Sequence, residues 1–413
     1  MDANIIKDVL KYNSNNLDDF TESQRFIFKE IENKVNHFLK KRGLNIILIT
    51  GLRGTGKTTI LKTIAKKYSG LYTSGDFLKT KSVEISDLTE ISKAYDKKVV
   101  IIDEILYLSD WQIKLKIEAD TNQNILYLIS GSSAMQLNKI SQDLSRRLDI
   151  YKLNPLSFRE YLTLKNKITI DQKIDFSIFL DKDQEKLFLE LSLIKQKLPK
   201  NLYSLYKSYY EDQLPFLLEE VNKKDKIRQL VEKVIYKDMP QIDNLYTEQL
   251  KNAEIIIKFL SSAEKINYTS ISNNLGVKRD MVVKIIDLLE KSELLYVVQD
   301  VVPTRELRSN KKILFSSPGI RMALNEINES SVVGFSREDM FGLILKIAGI
   351  KFAYNYNQDG YDYLVKNIKF EIGKNKTKNQ ISKGAIIIGD YLDVEYKNHL
   401  LYMPMYLFSL MND

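Results

Sequence analysis

The sequence predicts an α/β chain built around a doubly wound parallel sheet, with smaller domains after it. Three observations carry that expectation. Apolar runs alternate with helical patterns through residues 45–155. A glycine-rich turn, Gly51-Leu-Arg-Gly-Thr-Gly-Lys-Thr58, stands at one strand-to-helix junction. A second apolar run, Val99-Val-Ile-Ile102, ends in Asp103-Glu104, at the carboxyl end of a buried strand, where doubly wound sheets hold their ligands. The strands expected are 46–50, 71–73, 99–103, 125–130 and 149–153.

Taken in order, a helix opens the fold. Thr21 and Gln24 make a capping-box pattern, and Phe28, Ile31, Val35 and Phe38 fall on one stripe that packs on the sheet. The run Asn45-Ile-Ile-Leu-Ile-Thr50 then leads into the turn, which fits the phosphate-binding pattern G-x-x-x-x-G-K-T without substitution. Gly51, Gly54 and Gly56 let the backbone wrap closely, so that its N–H groups converge on an anion. The helix that follows adds the positive end of its dipole. Lys57 supplies a point charge for the β- and γ-phosphates of a nucleotide, and Thr58 a hydroxyl for Mg²⁺. Thr55 and Thr59 complete this set of candidate contacts.

Asp103 is expected to hold Mg²⁺, directly or through water, so Thr58 and Asp103 form the candidate metal site. Glu104 is the candidate general base that polarises the attacking water; a surface acidic pair is the alternative. The next run, Ile125-Leu-Tyr-Leu-Ile129, ends in Ser130-Gly-Ser-Ser133. Ser130 or Ser132 would touch the γ-phosphate or the water, or else Ser132 or Ser133 caps a helix. Arg147, with Arg146 in reserve, is the candidate arginine for transition-state charge; a solvated basic pair is the alternative. The catalytic candidates are thus Glu104, Arg147 and Lys57.

These motifs carry a family resemblance. The chain resembles prokaryotic AAA-type ATPases with a C-terminal restriction-endonuclease-like domain of unknown function. The residues responsible are Gly51–Thr58, Asp103-Glu-Ile105 with Trp111, Gly131-Ser-Ser-Ala134, Arg147 and Pro155-Leu-Ser-Phe-Arg-Glu-Tyr161. Weaker echoes are Tyr236-Lys-Asp238 and Asp362 with Glu371-Ile-Gly-Lys374. The resemblance implies an AAA-like ATPase core, a helical lid, a winged-helix module and a nuclease-like tail. It departs from the family at Asp212-Gln-Leu-Pro215, where members carry a Gly-Gly-x-Pro turn, and in the tail.

Composition sets outer bounds. At 413 residues and 44% apolar content the chain suits a soluble protein of two to four domains. It contains no long apolar run, no signal-peptide pattern and no cysteine, so membrane, secreted and thiol chemistries are set aside and the cytoplasm is the expected location. A net charge of +8 permits nucleic-acid binding without demanding it, and 50 of the 62 basic residues are lysine, which reads bases less well than arginine.

Four domains are expected: an ATPase core over 1–160, a helical lid over 161–250, a winged helix-turn-helix over 251–303 and a small α/β nuclease-like domain over 304–413. The stretch Asn166–Lys186 reads as a polar insertion loop. In the third module Ile255–Leu260, Ser270–Leu275 and Arg279–Lys291 are three helices, and Leu294–Val298 returns as a strand. Lys278, Arg279 and Lys284 are interleaved with Asp280, Asp287 and Glu290, which leaves DNA contact and packing between domains or subunits both open. In the tail, Asp362 and Glu371 have the spacing of a nuclease acidic pair. The lysine should fall two residues after Glu371, where Gly373 stands, and where members of the resembled family usually offer another glutamate in the preceding helix this chain has Gly342, so a nuclease-like fold without nuclease chemistry is expected.

The resulting expectation is an Mg²⁺-dependent ATP-binding and ATP-hydrolysing protein that acts as a conformational motor or switch. ATP and Mg²⁺ are the expected ligands, DNA and a second copy of the chain the candidate partners. The alternative is a nucleotide-gated DNA-binding or regulatory protein with negligible turnover.

Overall fold

A computed structural model describes residues 3–18, 22–131, 144, 146–180, 183–262, 268–301, 311–325, 329–357, 359–373 and 381–411. The chain forms two compact units. The first comprises Met1–Asn154 with Lys237–Asn244, the second Pro155–Tyr236 with Leu245–Asp413.

The first unit contains helices α1 (Ala3–Leu17), α2 (Phe28–Lys41), α3 (Lys57–Lys67), α4 (Gly75–Lys81), α5 (Ile85–Ala94) and α6 (Trp111–Thr121). They surround a five-stranded sheet of β1 (Ile46–Thr50), β2 (Leu71–Ser74), β3 (Val99–Asp103), β4 (Leu126–Gly131) and β5 (Leu148–Lys152). The order is β2-β3-β4-β1-β5 and every pairing is parallel. Each strand falls within one residue of its expected position. The cause is the continuous apolar runs, which alternate between the two faces of the sheet and so feed two cores. Ile46, Leu48, Val100, Ile102, Tyr127 and Ile129 join one core with residues of α5 and α6. Ile47, Ile49, Val99, Ile101, Leu126 and Leu128 join the other with α2 and α3.

The N-terminus departs from expectation. α2 starts at Phe28 with no side-chain cap, later than the Thr21–Gln24 pattern implied, and Thr21 lies outside the described residues. The predicted stripe still does its work, because Ile31, Val35 and Phe38 are buried. An additional helix, α1, precedes it. It covers the edge strand β2: Asn13 Oδ1 accepts the Tyr72 N–H at 2.7 Å, and Tyr12 OH meets Ser74 Oγ at 2.6 Å. Those bonds occupy polar groups that an edge strand would otherwise leave bare.

The second unit begins with α7 (Phe158–Asn166), α8 (Gln184–Gln196), α9 (Leu202–Tyr209) and α10 (Lys223–Lys233). Ser157 opens α7 with a capping box, its hydroxyl accepting the Glu160 N–H while Glu160 accepts the Ser157 N–H. The stretch Asn166–Lys186, expected to be a polar insertion loop, contributes apolar residues to the core. Ile170, Ile174, Phe176 and Phe179 are buried in this unit's core, since apolar residues at these positions gain more from burial than a polar loop would. Asp212, fully buried, pairs with Lys165 and Lys223. Gln213 Oε1 accepts Ser317 Oγ–H at 2.5 Å.

α11 (Thr247–Ser262), α12 (Tyr268–Leu275) and α13 (Arg279–Lys291) follow, then the antiparallel pair β6 (Leu295–Val298) and β7 (Lys312–Phe315), and helices α14 (Pro318–Leu324) and α15 (Glu329–Ile347). The C-terminal part is a six-stranded mixed sheet of β8 (Ala353–Tyr354), β9 (Tyr363–Val365), β10 (Ile368–Ile372), β11 (Ile386–Gly389), β12 (Glu395–Lys397) and β13 (Leu400–Pro404). Its order is β12-β13-β11-β10-β9-β8, with β10, β11 and β13 parallel. Phe341, Tyr363, Phe370 and Phe408 pack at its centre. Among the described residues no helix is long and apolar enough to cross a membrane.

Candidate active site

The site grows from the carboxyl ends of three neighbouring strands. β1 delivers the phosphate loop, β3 delivers Asp103 and Glu104, and β4, lying between them, delivers Ser130. Gly51 has φ +142, and an added Cβ would stand 2.2 Å from the Leu153 carbonyl oxygen, so only glycine fits where the loop leaves the sheet. Arg25, buried, fastens the loop by donating to the Thr55 carbonyl at 2.5 Å and to the Asn154 carbonyl at 2.9 Å. Thr55 is buried and turns its hydroxyl back onto the Leu52 carbonyl at 2.8 Å. It therefore shapes the loop, and any ligand contact would come from its backbone. Gly54 and Gly56 have φ of +83 and +99, and α3 starts directly after Gly56.

Lys57 folds over this loop. Its Nζ donates to the Gly51 carbonyl at 2.7 Å and the Leu52 carbonyl at 2.9 Å. Thr58 is exposed, and its hydroxyl donates to Asp103 Oδ2 at 2.6 Å. Tyr72 OH donates to the same oxygen at 3.1 Å. Burial, with the negative charge of Asp103 beside it, pushes the Tyr72 phenol far above its ordinary range, so this hydroxyl remains a donor. Thr59, on the first turn of α3, accepts the Thr63 hydroxyl through its carbonyl. The oxygens of Thr58 and Asp103 are hard donors of the kind Mg²⁺ takes, one carboxylate and one hydroxyl, with phosphates and water to complete the shell.

Ser130 is fully buried, donates to Asp103 Oδ1 and accepts the Glu104 N–H at 2.9 Å. Both bonds are made to the acidic pair, so Ser130 braces Asp103 and Glu104. Ser132 and Ser133 lie outside the described residues.

Glu104 has φ 50 and ψ 52, a left-handed conformation directly after β3 and before the 3-10 turn Ile105–Tyr107. Burial raises its pKa, against the lowering pull of Arg53. Arg53 was not singled out from the sequence. Its Nη1 lies 3.1 Å from Glu104 Oε1. Its other edge grips Asp238, Nε to Oδ2 at 3.1 Å and Nη2 to Oδ1 at 2.8 Å. Asp238 ends a π-helical turn, Val234–Asp238, and is buried. Burial opposes the Arg53 charge, but the Asp238 hydrogen bonds and attraction to both carboxylates outweigh it and hold its pKa above the ordinary value.

Arg147 is not brought to this site. It precedes β5 and pairs with Asp120 at the end of α6. β5 runs parallel to β1 with Leu148 beside Ile46 and Lys152 beside Thr50. Arg147 therefore sits by the amino ends of the strands, the opposite end of the sheet from the phosphate loop, about 15 Å away at the rise of a strand. Arg146 is exposed.

In the tail, Asp362 Oδ2 accepts the Ile372 N–H at 2.8 Å, and Glu371 is buried on β10. Gly373 follows, and Lys374 lies outside the described residues. The acidic side chain that α15 contributes nearby is Glu338, which accepts Tyr363 OH at 2.5 Å and pairs with Lys312 at 2.6 Å. Gly342 serves packing, since a Cβ there would meet Leu314 Cδ1 at 2.6 Å.

Residues 44–162 match the family model of an AAA domain, and residues 215–331 match that of a domain of unknown function, DUF8612. The chain is similar to an uncharacterised protein of Methanocaldococcus jannaschii, 29% identical over 433 residues, covering 94% of this chain and 90% of that one. Among solved structures, the Walker-type ATPase of Pyrococcus abyssi is similar with a TM-score of 0.43 and 12% identity, over 74% of this chain and 99% of that one. AMPPCP-bound DnaA from Aquifex aeolicus has a TM-score of 0.29 and 18% identity, over 68% of this chain and 91% of that one. The phosphate loop, the acidic pair and the strands that carry them, β1 to β5, all fall inside residues 44–162, the part of the chain that matches the model of an AAA domain.

Proposed function

We propose that this protein is a cytoplasmic, Mg²⁺-dependent ATPase whose AAA domain acts as a conformational motor or switch. The observation that carries the reading is the contact of Thr58 with Asp103 at 2.6 Å, which joins the phosphate loop to the acidic pair. The loop amides and the start of α3 would receive the phosphates. Lys57 would exchange its two loop carbonyls for phosphate oxygens. Thr58 and Asp103 would hold Mg²⁺, which when bound offsets phosphate charge. Glu104 would take a proton from the attacking water, its raised pKa making it a stronger base than a solvated carboxylate.

The remaining parts fit a helical lid over 161–250, a winged helix over 251–303 and a nuclease-like tail over 304–413 without nuclease chemistry. The reading of 251–303 rests on three helices followed by β6, which pairs antiparallel with β7 from the range that follows. That same arrangement favours the second reading, a nucleotide-gated DNA-binding protein with little turnover. Against it, the exposed positions of α13 and its N-cap carry Lys278, Arg279, Asp280 and Asp287, a mixed surface for a phosphate backbone.

Turnover of ATP, measured alone and with DNA or RNA, decides between them. In the first reading Glu104→Gln keeps nucleotide bound and slows single-turnover hydrolysis about 10²-fold or more, and Lys57→Ala weakens binding of a fluorescent ATP analogue. Wild-type binding without turnover under every condition would favour the second, and equal affinity of Lys57→Ala and wild type would remove the phosphate-loop assignment.

A further inference from the structure

Arg53 is placed for a task that the phosphate-loop pattern does not specify. It lies inside the loop, between Gly51 and Gly54, yet its guanidinium is shared by two carboxylates from elsewhere in the chain. The two arms differ. The Asp238 arm is bidentate, and the Asp238 side chain is only 3% exposed. The Glu104 arm is a single contact, and the Glu104 side chain is 31% exposed. A bidentate, buried pair is hard to exchange, whereas a single contact at a solvent-facing edge is readily replaced by another anion. Phosphate and carboxylate oxygens are equivalent ligands for the free edge of a guanidinium. Lys57 Nζ is held on the carbonyls of Gly51 and Leu52, the two residues before Arg53, so Arg53 lies in the same loop as the lysine that would meet the terminal phosphates.

We propose that Arg53 is the γ-phosphate-reading residue of this site: its Nη1 edge leaves Glu104 for a γ-phosphate oxygen, while Asp238 holds the other edge in place. This rests on the nucleotide-binding reading above and adds a cation within the same chain. The exchange has two consequences. A nucleoside triphosphate is distinguished from a diphosphate, because only the triphosphate offers the new ligand. Glu104 is released from its cation only when that ligand is present, so the base becomes free when there is something to hydrolyse. Asp238, 185 residues away in sequence, is a positioning residue that acts through Arg53.

The test is the ratio of affinities for a non-hydrolysable ATP analogue and for ADP, each with Mg²⁺, measured by calorimetry. Wild type is expected to prefer the triphosphate. Arg53→Ala should lose about tenfold or more of that preference, the worth of one charge-assisted hydrogen bond, with ADP affinity unchanged within about twofold. Asp238→Asn, which retains Arg53 but loosens its anchor, should lose part of the preference. Because Arg53→Ala leaves Asp238 buried without its cation, the double variant Arg53→Gln/Asp238→Asn repeats the measurement with that charge removed. An unchanged ratio in folded Arg53→Ala or in the double variant overturns the proposal, as does an equal loss of both affinities. Wild-type protein that binds neither nucleotide overturns the underlying reading instead, and the proposal with it.

Discussion

Replacing Gly75 with alanine should impair Glu104 without touching the phosphate loop. Gly75 opens α4 just after β2, and an added Cβ would stand 2.3 Å from the Glu104 carbonyl oxygen, 3.2 Å from its carbonyl carbon and 3.3 Å from Tyr107 Cβ. The obstructing oxygen is backbone, so no side-chain rotation relieves the overlap. Restoring an ordinary contact takes about 1 Å of separation, shared between α4 and the residue-104 peptide. Glu104 has little slack, because its left-handed backbone already costs about 1–2 kcal/mol, and overpacking adds about 1–3 kcal/mol. A displacement of about 1 Å at a reacting group costs about 10²-fold in rate. The assay is single-turnover ATP hydrolysis with protein in excess, alongside nucleotide affinity and thermal melting. Slow hydrolysis, near-native affinity and a lowered melting temperature are expected. Gly334→Ala is the control, since a Cβ there meets nothing within 4 Å. A folded, nucleotide-bound Gly75→Ala protein that hydrolyses at the wild-type rate would refute Glu104 as the base held by this contact.

Two further outcomes follow from the same geometry. Arg147 lies beside Asp120 at the end of the sheet away from the phosphate loop, so if it serves hydrolysis it does so on a neighbouring copy. Arg147→Ala should then lower turnover more than binding, and mixing it with Glu104→Gln should restore part of the activity; no rescue in a sample shown to oligomerise counts against that role. The tail is expected not to cleave plasmid or single-stranded DNA with Mg²⁺ or Mn²⁺, because Gly373 stands where Glu371 needs a lysine on its own face. Cleavage that vanishes in Asp362→Ala would make it a working nuclease.

Much of the sheet that carries the phosphate loop was legible locally. Continuous apolar runs fix strands, and two glycines before a lysine and threonine fix a phosphate loop, since each needs only neighbouring residues to act. The same locality explains the misses. α1 buries only Val9 fully, and Ile5, Ile6 and Leu10 are only partly buried against a core whose other members lie far along the chain. Residues 166–186 look polar in sequence, yet their spaced apolar side chains find a core built by distant strands. Ser130, a candidate with Ser132 for contact with the γ-phosphate or the water, bonds to Asp103 and to the Glu104 N–H, a pairing made possible by β4 lying beside β3. The sequence by itself determined which residues can carry phosphate chemistry, because that depends on residue type and short spacing. Only the tertiary structure decided which of them meet. Arg53 reads as a variable position within a motif, and Asp238 as a faint echo far along the chain, until folding sets a guanidinium between two carboxylates.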